Sequence, residues 1–405
     1  MWEQIRANRR KSVALVIVMA GILLIFGFVI GEAAAPGAGP GGVFLALIIW
    51  LIMSLISYFA GGAIMLSVSG ARKIEKQDNP RLFNIVEEMQ LASGLPKMPD
   101  VYVIDDHAPN AFATGRDPQH CAVAVTTGLL NICNRDELQG VIAHEMAHVK
   151  NRDVLLMIMV GVLMGTIVML ADGLLRAFFW GGGGRRRSRT SSSKGGQAQA
   201  VMLIVALLLA ILAPIIAQLL YLAVSRKREY LADACGAQFT RYPEGLASAL
   251  EKISASTHDL RRANRATAPM YIINPLKQEG MAAANLSSTH PPIDERVRIL
   301  RGMGGGAGYN DYESAYRKVT GKAGILPSGA LAGSQPAEAR QAIDDKEALK
   351  SDVERVRETT DMLWKMKNYA FIPCACGVTL KVPPGFNRPE IKCPHCGTAH
   401  KTQAT

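Results

Sequence analysis

Charge is in short supply in this chain. Only 20% of its 405 residues are Asp, Glu, Lys or Arg, against 49% hydrophobic, and mean hydropathy is positive. Soluble domains carry about 25% charged residues, so an ordinary soluble enzyme is excluded, although the length leaves room for a folded domain. Charge is thinnest in four blocks, roughly Val13–Gly31, Val43–Val68, Val154–Leu175 and Ala200–Val224. Each is near the ~20 residues that a bilayer crossing requires, which predicts transmembrane helices or deep hairpin helices. A disulfide framework is missing too: of seven cysteines, Cys121, Cys133 and Cys235 are scattered and the rest crowd the C-terminus.

Acidic residues number 34 against 45 basic ones, a net charge of +11. Much of the excess lies in two runs beside apolar blocks, Arg6 to Lys11 and Arg185 to Lys194, so we expect no nucleic-acid partner. The loop from Glu32 to Gly42 contains no Lys or Arg, whereas Arg6, Arg9, Arg10 and Lys11 precede the first block. That asymmetry puts the N-terminus in the cytoplasm, and two crossings return the chain there by about Ala71. Ala33-Ala34-Ala35 resembles a signal-peptide cleavage site, but the preceding apolar stretch is long for a signal, and an uncleaved anchor is expected. If the hairpin 154–224 crosses the membrane, its Gly, Arg and Ser loop, Gly181–Gly196, carries five basic residues outside, against the usual bias. A full crossing and a hairpin that stops short both stay open.

Between Ala71 and Asp153 the pattern is α+β. Arg81–Ser93 has helical periodicity, Val101–Ile104 reads as a short strand, and Ala111–Thr114 and Ala122–Thr126 read as further strands. Asn134 followed by Glu137 predicts a capped helix start. That helix carries His144-Glu-Met-Ala-His148. Histidines at i and i+4 lie on one helical face a turn apart, so one metal can take a nitrogen from each. Glu145 beside the first is placed to act on a water in an open position, as in zinc peptidases. Catalytic zinc takes a third protein ligand, and Glu229-Tyr-Leu-Ala-Asp233 follows the fourth apolar block. There Glu229 is the candidate ligand, and Asp233, one turn on, the residue that fixes a histidine tautomer.

These motifs and the apolar hairpin between them resemble the HtpX family of membrane zinc metalloproteases, relatives of the CAAX prenyl proteases. The resemblance covers roughly Met1 to Arg301. It extends to Asn110-Ala-Phe-Ala-Thr-Gly115 and Ser288-Thr-His-Pro-Pro292. It implies an integral endopeptidase of the bacterial inner membrane, multi-pass, with its active site facing the cytoplasm and acting on misfolded or membrane proteins in quality control. In that frame Glu145 is the general base and then acid. His290 is the candidate for steadying the tetrahedral oxyanion, and Asn110 for lying near the substrate backbone. Plainer readings exist: a polar helix face for the histidines, a surface carboxylate for Asp233, and turn residues for His290 and Asn110.

Cys374-Ala-Cys376-Gly and Cys393-Pro-His-Cys396-Gly form two knuckle-like turns that resemble a zinc ribbon, so Cys374, Cys376, Cys393 and Cys396 are candidate ligands of a second, structural zinc. The first pair is one residue shorter than the common spacing. Before it, Ala339–Met366 carries Leu349, Val353, Val356 and Leu363 at helical spacing among charges. This predicts an amphipathic helix packing on a neighbour or self-associating.

The expected architecture is therefore α+β and mainly α, a multi-span helical membrane protein with a gluzincin-like catalytic domain. Its parts are two N-terminal transmembrane helices (1–70), a metalloprotease domain (71–301), a linker with an amphipathic helix (302–368) and a zinc-ribbon-like module (369–405). The expected function is zinc endopeptidase. The rival is a non-enzymatic membrane adaptor with structural zinc sites, which the intact Glu145 disfavours because a closed metal site needs no base.

Overall fold

The computed structural model describes residues 2–180, 195–262, 270–273, 290–343 and 352–402. Most of the loop Gly181–Gly196 with its arginine run, Ser288-Thr289, Leu349 and the middle of the expected linker lie outside the described residues.

The chain starts with two long helices, α1 (Trp2–Ala34) and α2 (Gly39–Val68). They form a hairpin because Glu32 accepts the N–H groups of Gly37 and Gly39 at 2.8 and 3.0 Å, closing the turn. The two backbones nearly touch: a Cβ on Gly42 would meet the carbonyl oxygen of Gly27 at 2.0 Å, so no larger residue fits there. Among the described residues α2 is the one helix long and apolar enough to cross a membrane, with a shorter apolar stretch, Val16–Glu32, in α1.

The next elements are β1 (Ala71–Lys73), α3 (Pro80–Ser93), β2 (Asp100–Ile104), β3 (Ala111–Asp117), β4 (His120–Thr126), α4 (Thr127–Ile132) and α5 (Arg135–Lys150). Asn79 caps α3 through Leu82 N–H, Pro80 opens it, and Gly94 ends it in the left-handed region. The strands build a sheet in the order β1-β2-β4-β3, with β2 parallel to β4 and β3 antiparallel to it. That order leaves β3 at an edge, alongside α5. The short β1 on the other edge had no periodic signal in the sequence.

Helix α5 begins with the reciprocal Asn134–Glu137 cap expected from the sequence: Asn134 Oδ1 accepts Glu137 N–H at 2.9 Å and Glu137 returns the bond at 2.8 Å. It is buried from Asp136 to Val149 on every face, which marks it as the helix others pack around. Its neighbours include α7 (Gly195–Thr240), which follows α6 (Asp153–Trp180), and α8 (Pro243–Ala255).

The chain continues through α9 (Ile293–Arg301), α10 (Tyr309–Thr320), α11 (Ser328–Ala332) and α12 (Asp352–Met366). Several residues of this stretch pack into the protein. Met303, Tyr309, Tyr312, Tyr316, Leu326 and Met362 all belong to the main hydrophobic core. The glycines after Gly302 only turn the chain before it packs again. Arg340 then returns to the start of α5, its guanidinium donating to Asp136 at 2.6 Å and Gln139 at 2.8 Å. Helix α12 packs on α4, burying Arg355, Thr359 and Met362 while Val353 and Val356 stay exposed. The last strands, β5 (Ala370–Pro373) with β6 (Thr379–Val382) and β7 (Glu390–Lys392) with β8 (Ala399–Lys401), form two small hairpins. The whole is α+β and mainly helical.

Candidate metal centre

His144 and His148, a turn apart on α5, face Glu229 on α7 across the crossing of the two helices. The three residues bring their ligand-capable atoms close together. His144 Nε2 lies 3.2 Å from His148 Nε2 and 3.6 Å from Glu229 Oε2, and His148 Nε2 lies 3.5 Å from Glu229 Oε1. Ligands about 2.0–2.1 Å from a tetrahedral zinc stand about 3.3 Å apart, so the spacing fits that ion.

The partners behind the histidines orient both rings for a metal. His144 Nδ1 lies 2.9 Å from Asp233 Oδ1, and His148 Nδ1 lies 3.4 Å from Asp153 Oδ2. Both carboxylates favour a ring proton on Nδ1, which makes Nε2 the atom that each ring offers to a metal. All three residues are at most 5% exposed. Two oriented imidazoles and a carboxylate at this spacing fit a zinc ion, which would displace the proton that His144 carries in the metal-free site.

Charges around the cluster keep these states in place. Burial works against a charged His144, but the acceptors Asp233 and Glu229 outweigh it and raise the metal-free ring to about 9. Glu229 stands well below the usual carboxylate range: burial opposes this, but His290, His144 and His148 together prevail. Asp233 is lowered as well, because Arg296 and His144 overcome its burial. Glu145 moves the other way. Burial raises it, and the histidines and the Ala113 N–H only partly offset that. A carboxylate pushed upward is suited to taking and releasing a proton.

The structure places the other expected residues as follows. Glu145 is 2% exposed and accepts the Ala113 N–H of edge strand β3 at 2.8 Å. His290 is brought into the site, its Nδ1 2.8 Å from Glu229 Oε2. Asn110 is not turned toward an open position. Its amide donates to the Ile273 carbonyl at 2.9 Å, and its oxygen accepts the Ala111 N–H at 3.0 Å. With Ile272 N–H donating to Ala111 O at 3.0 Å, Asn110 clamps the Met270–Ile273 segment against β3. The four cysteines also converge, Cys374 Sγ 3.4 Å from Cys396 and Cys376 Sγ 3.6 Å from Cys393, and their sulfurs fall within 4.8 Å of one another.

Two supporting residues had escaped the sequence reading. Arg296 on α9 is fully buried and grips Asp233 with two bonds, Nε at 2.8 Å and Nη2 at 2.7 Å. Its signal was an arginine on the same face as Ile299 and Leu300, a stripe that otherwise goes to the core. Asp153 follows the second histidine by five residues. The left-handed backbone at Arg152, φ 61°, turns the chain sharply enough to bring that carboxylate back under His148.

Residues 76–304 match peptidase family M48. A protein named Protease HtpX homolog from Dictyoglomus turgidum is 46% identical over 303 residues, 75% of this chain and 95% of that protein. One of the same name from Tropheryma whipplei is 44% identical over 290 residues, 70% and 94% of the two. Among solved structures, Ste24p from S. mikatae covers 74% of this chain and 67% of its own at 21% identity, with a TM-score of 0.39, too loose a likeness to argue from. The chain belongs to peptidase family M48 and to its HtpX branch, which makes it a membrane-bound metalloprotease.

Proposed function

From this membership we propose that the chain is a zinc endopeptidase of the bacterial inner membrane, multi-pass, which cleaves misfolded or membrane proteins at the cytoplasmic face in protein quality control. The observation that carries the reading is the His144, His148 and Glu229 cluster with Glu145 one residue from a ligand. A purely structural site has no use for that base, which weighs against the adaptor alternative.

His144, His148 and Glu229 would hold the zinc, which would supply the Lewis acidity that acidifies a water near neutral pH and polarises the scissile carbonyl. Glu145, held by Ala113 N–H, takes the water's proton and passes it to the leaving amine. Asp233 and Asp153 hold the ring protons of His144 and His148 on Nδ1, and Arg296 holds Asp233. His290, its Nδ1 2.8 Å from Glu229 Oε2, is assigned to steadying the developing oxyanion. Asn110 we assign to bracing the strand beside the site, in place of direct contact with substrate.

The helices α1 and α2 and the apolar hairpin 154–224 form the membrane part in this reading, the hairpin lying inside a protease unit that spans 71–301. The four cysteines hold a second, structural zinc in the 369–405 module. Self-association through 339–366 would use the exposed Val353 and Val356.

The test is cleavage of an unfolded protein and of a destabilised membrane protein by the purified full chain with zinc. Cleavage lost with a chelator and with Glu145→Gln supports the reading. Equal cleavage by wild type and Glu145→Gln would overturn it.

A further inference from the structure

We propose that the cavity between the last turns of α2 and the β3–β4 hairpin binds the head group of an anionic phospholipid. The inference rests on α2 crossing the membrane, as in the reading above.

The cavity has a volume of about 590 Å³. Its two walls differ in chemistry. One is α2, with Tyr58, Phe59 and Gly62; the other carries Lys97, Thr114 and Arg116. Thr114 is 1% exposed, and its hydroxyl has no hydrogen-bond partner among the described residues. A buried hydroxyl left unpaired is unfavourable, which points to a polar occupant. A Cβ at Gly62 would sit 3.4 Å from that oxygen, so the missing side chain leaves room beside it.

The charge that an occupant meets is positive. The one acid lining the cavity, Asp100, is engaged by Lys73 at 3.0 Å. His120 is taken by Asp117, whose other neighbour, Arg116, approaches it through Nε at 3.4 Å. Lys97 has no ion-pair partner among the described residues. Two cations and an unpaired hydroxyl are what a phosphate ester calls for.

The apolar wall decides between a free phosphate and a lipid. Helix α2 has 30 residues, about 45 Å of helix against ~30 Å of hydrocarbon. Its last turns therefore fall at head-group level, where a tyrosine such as Tyr58 belongs. On the same stretch of helix, Leu55 and Phe59 are 49% and 66% exposed and offer acyl chains a surface. A soluble anion matches the cations alone, whereas a phospholipid matches both walls. The site also touches the chemistry. Thr114 and Arg116 lie on β3 next to Ala113, whose N–H is bonded to Glu145, so an occupant would steady the strand that holds the general base.

The full-length Glu145→Gln chain in neutral detergent is mixed with equal phosphatidylglycerol and phosphatidylcholine, and bound lipid is counted by native mass spectrometry. Because this variant is inactive, the result does not depend on the protease reading. We expect preference for phosphatidylglycerol. Adding Lys97→Ala and Arg116→Ala should weaken it roughly 30-fold, at about 5-fold per cation near a membrane. Lys318→Ala with Lys322→Ala, distant surface cations, should leave it unchanged. Thr114→Val should cost roughly 2- to 10-fold. Equal binding of the two lipids, or full binding by the Lys97/Arg116 variant, overturns the proposal. So does displacement by glycerol phosphate at concentrations matching the lipid, which would mark a soluble-phosphate site.

Discussion

Two clusters in this chain bring metal-ligand side chains together, and they are arranged in opposite ways. The first, His144, His148 and Glu229, lies at the crossing of two helices in the main core and offers three ligands. Each histidine has an acid behind it, and Glu145 stands beside the open side. The second, Cys374, Cys376, Cys393 and Cys396, sits on two short hairpins and offers four sulfurs, with Cys396 exposed. Three ligands and a base leave a coordination position for chemistry; four thiolates close the shell. The contrast separates a working site from the proposed structural one without reference to any relative.

The sharpest way to break the contrast is at the base. Glu145→Gln should keep the metal and cut cleavage by at least the roughly 10²- to 10⁴-fold that general acid–base groups supply, checked by metal content and turnover on one preparation. Glu229→Ala should weaken zinc by more than the 10- to 100-fold that losing an outer partner costs, read by chelator competition. A cleaving, fully zinc-loaded Glu229→Ala chain would remove Glu229 from the ligand set. Arg296→Met leaves buried Asp233 with His144 as its remaining partner, so we expect a loss of stability short of the ~3–5 kcal/mol that breaking a buried pair outright costs, measured by denaturant unfolding of the metal-free protein.

A gentler probe is pH. Metal-free His144 is raised to about 9, so its contribution to the metal-free fold is fully present below the unfolded value of about 6.5. It is lost as pH rises through about 9. Zinc must displace that proton, so its affinity should climb up to about tenfold per unit between pH 7 and 9. A flat zinc affinity over that range would contradict the assigned proton. The smallest effect is expected at the second cluster: Cys393→Ser should loosen the hairpins while cleavage of a short peptide changes little.

Much of the metal centre was legible because its spacing is local. His144, Glu145 and His148 share two turns of one helix, and Glu229 and Asp233 share another, so helical geometry alone groups them. The strands β2, β3 and β4 and the Asn134–Glu137 cap were readable for the same reason. What could not be read came from contacts distant in sequence. Arg296 reaches Asp233 across 63 residues, and nothing near Arg296 marks it except its place on an apolar stripe. Asn110 looked like a substrate contact, and only the approach of Ile273 shows its amide to be taken. Gly302 onward looked like a linker because glycines hid how Tyr309 and Tyr312 return to the core.

One measurement reaches the centre of the account: zinc content and peptide cleavage by the full-length chain with Cys374, Cys376, Cys393 and Cys396 all changed to serine, beside wild type. The account expects the variant to lose one of two zinc ions and to keep cleaving. Loss of cleavage with the core zinc still bound, or unchanged zinc content, would contradict the division of labour between the two clusters.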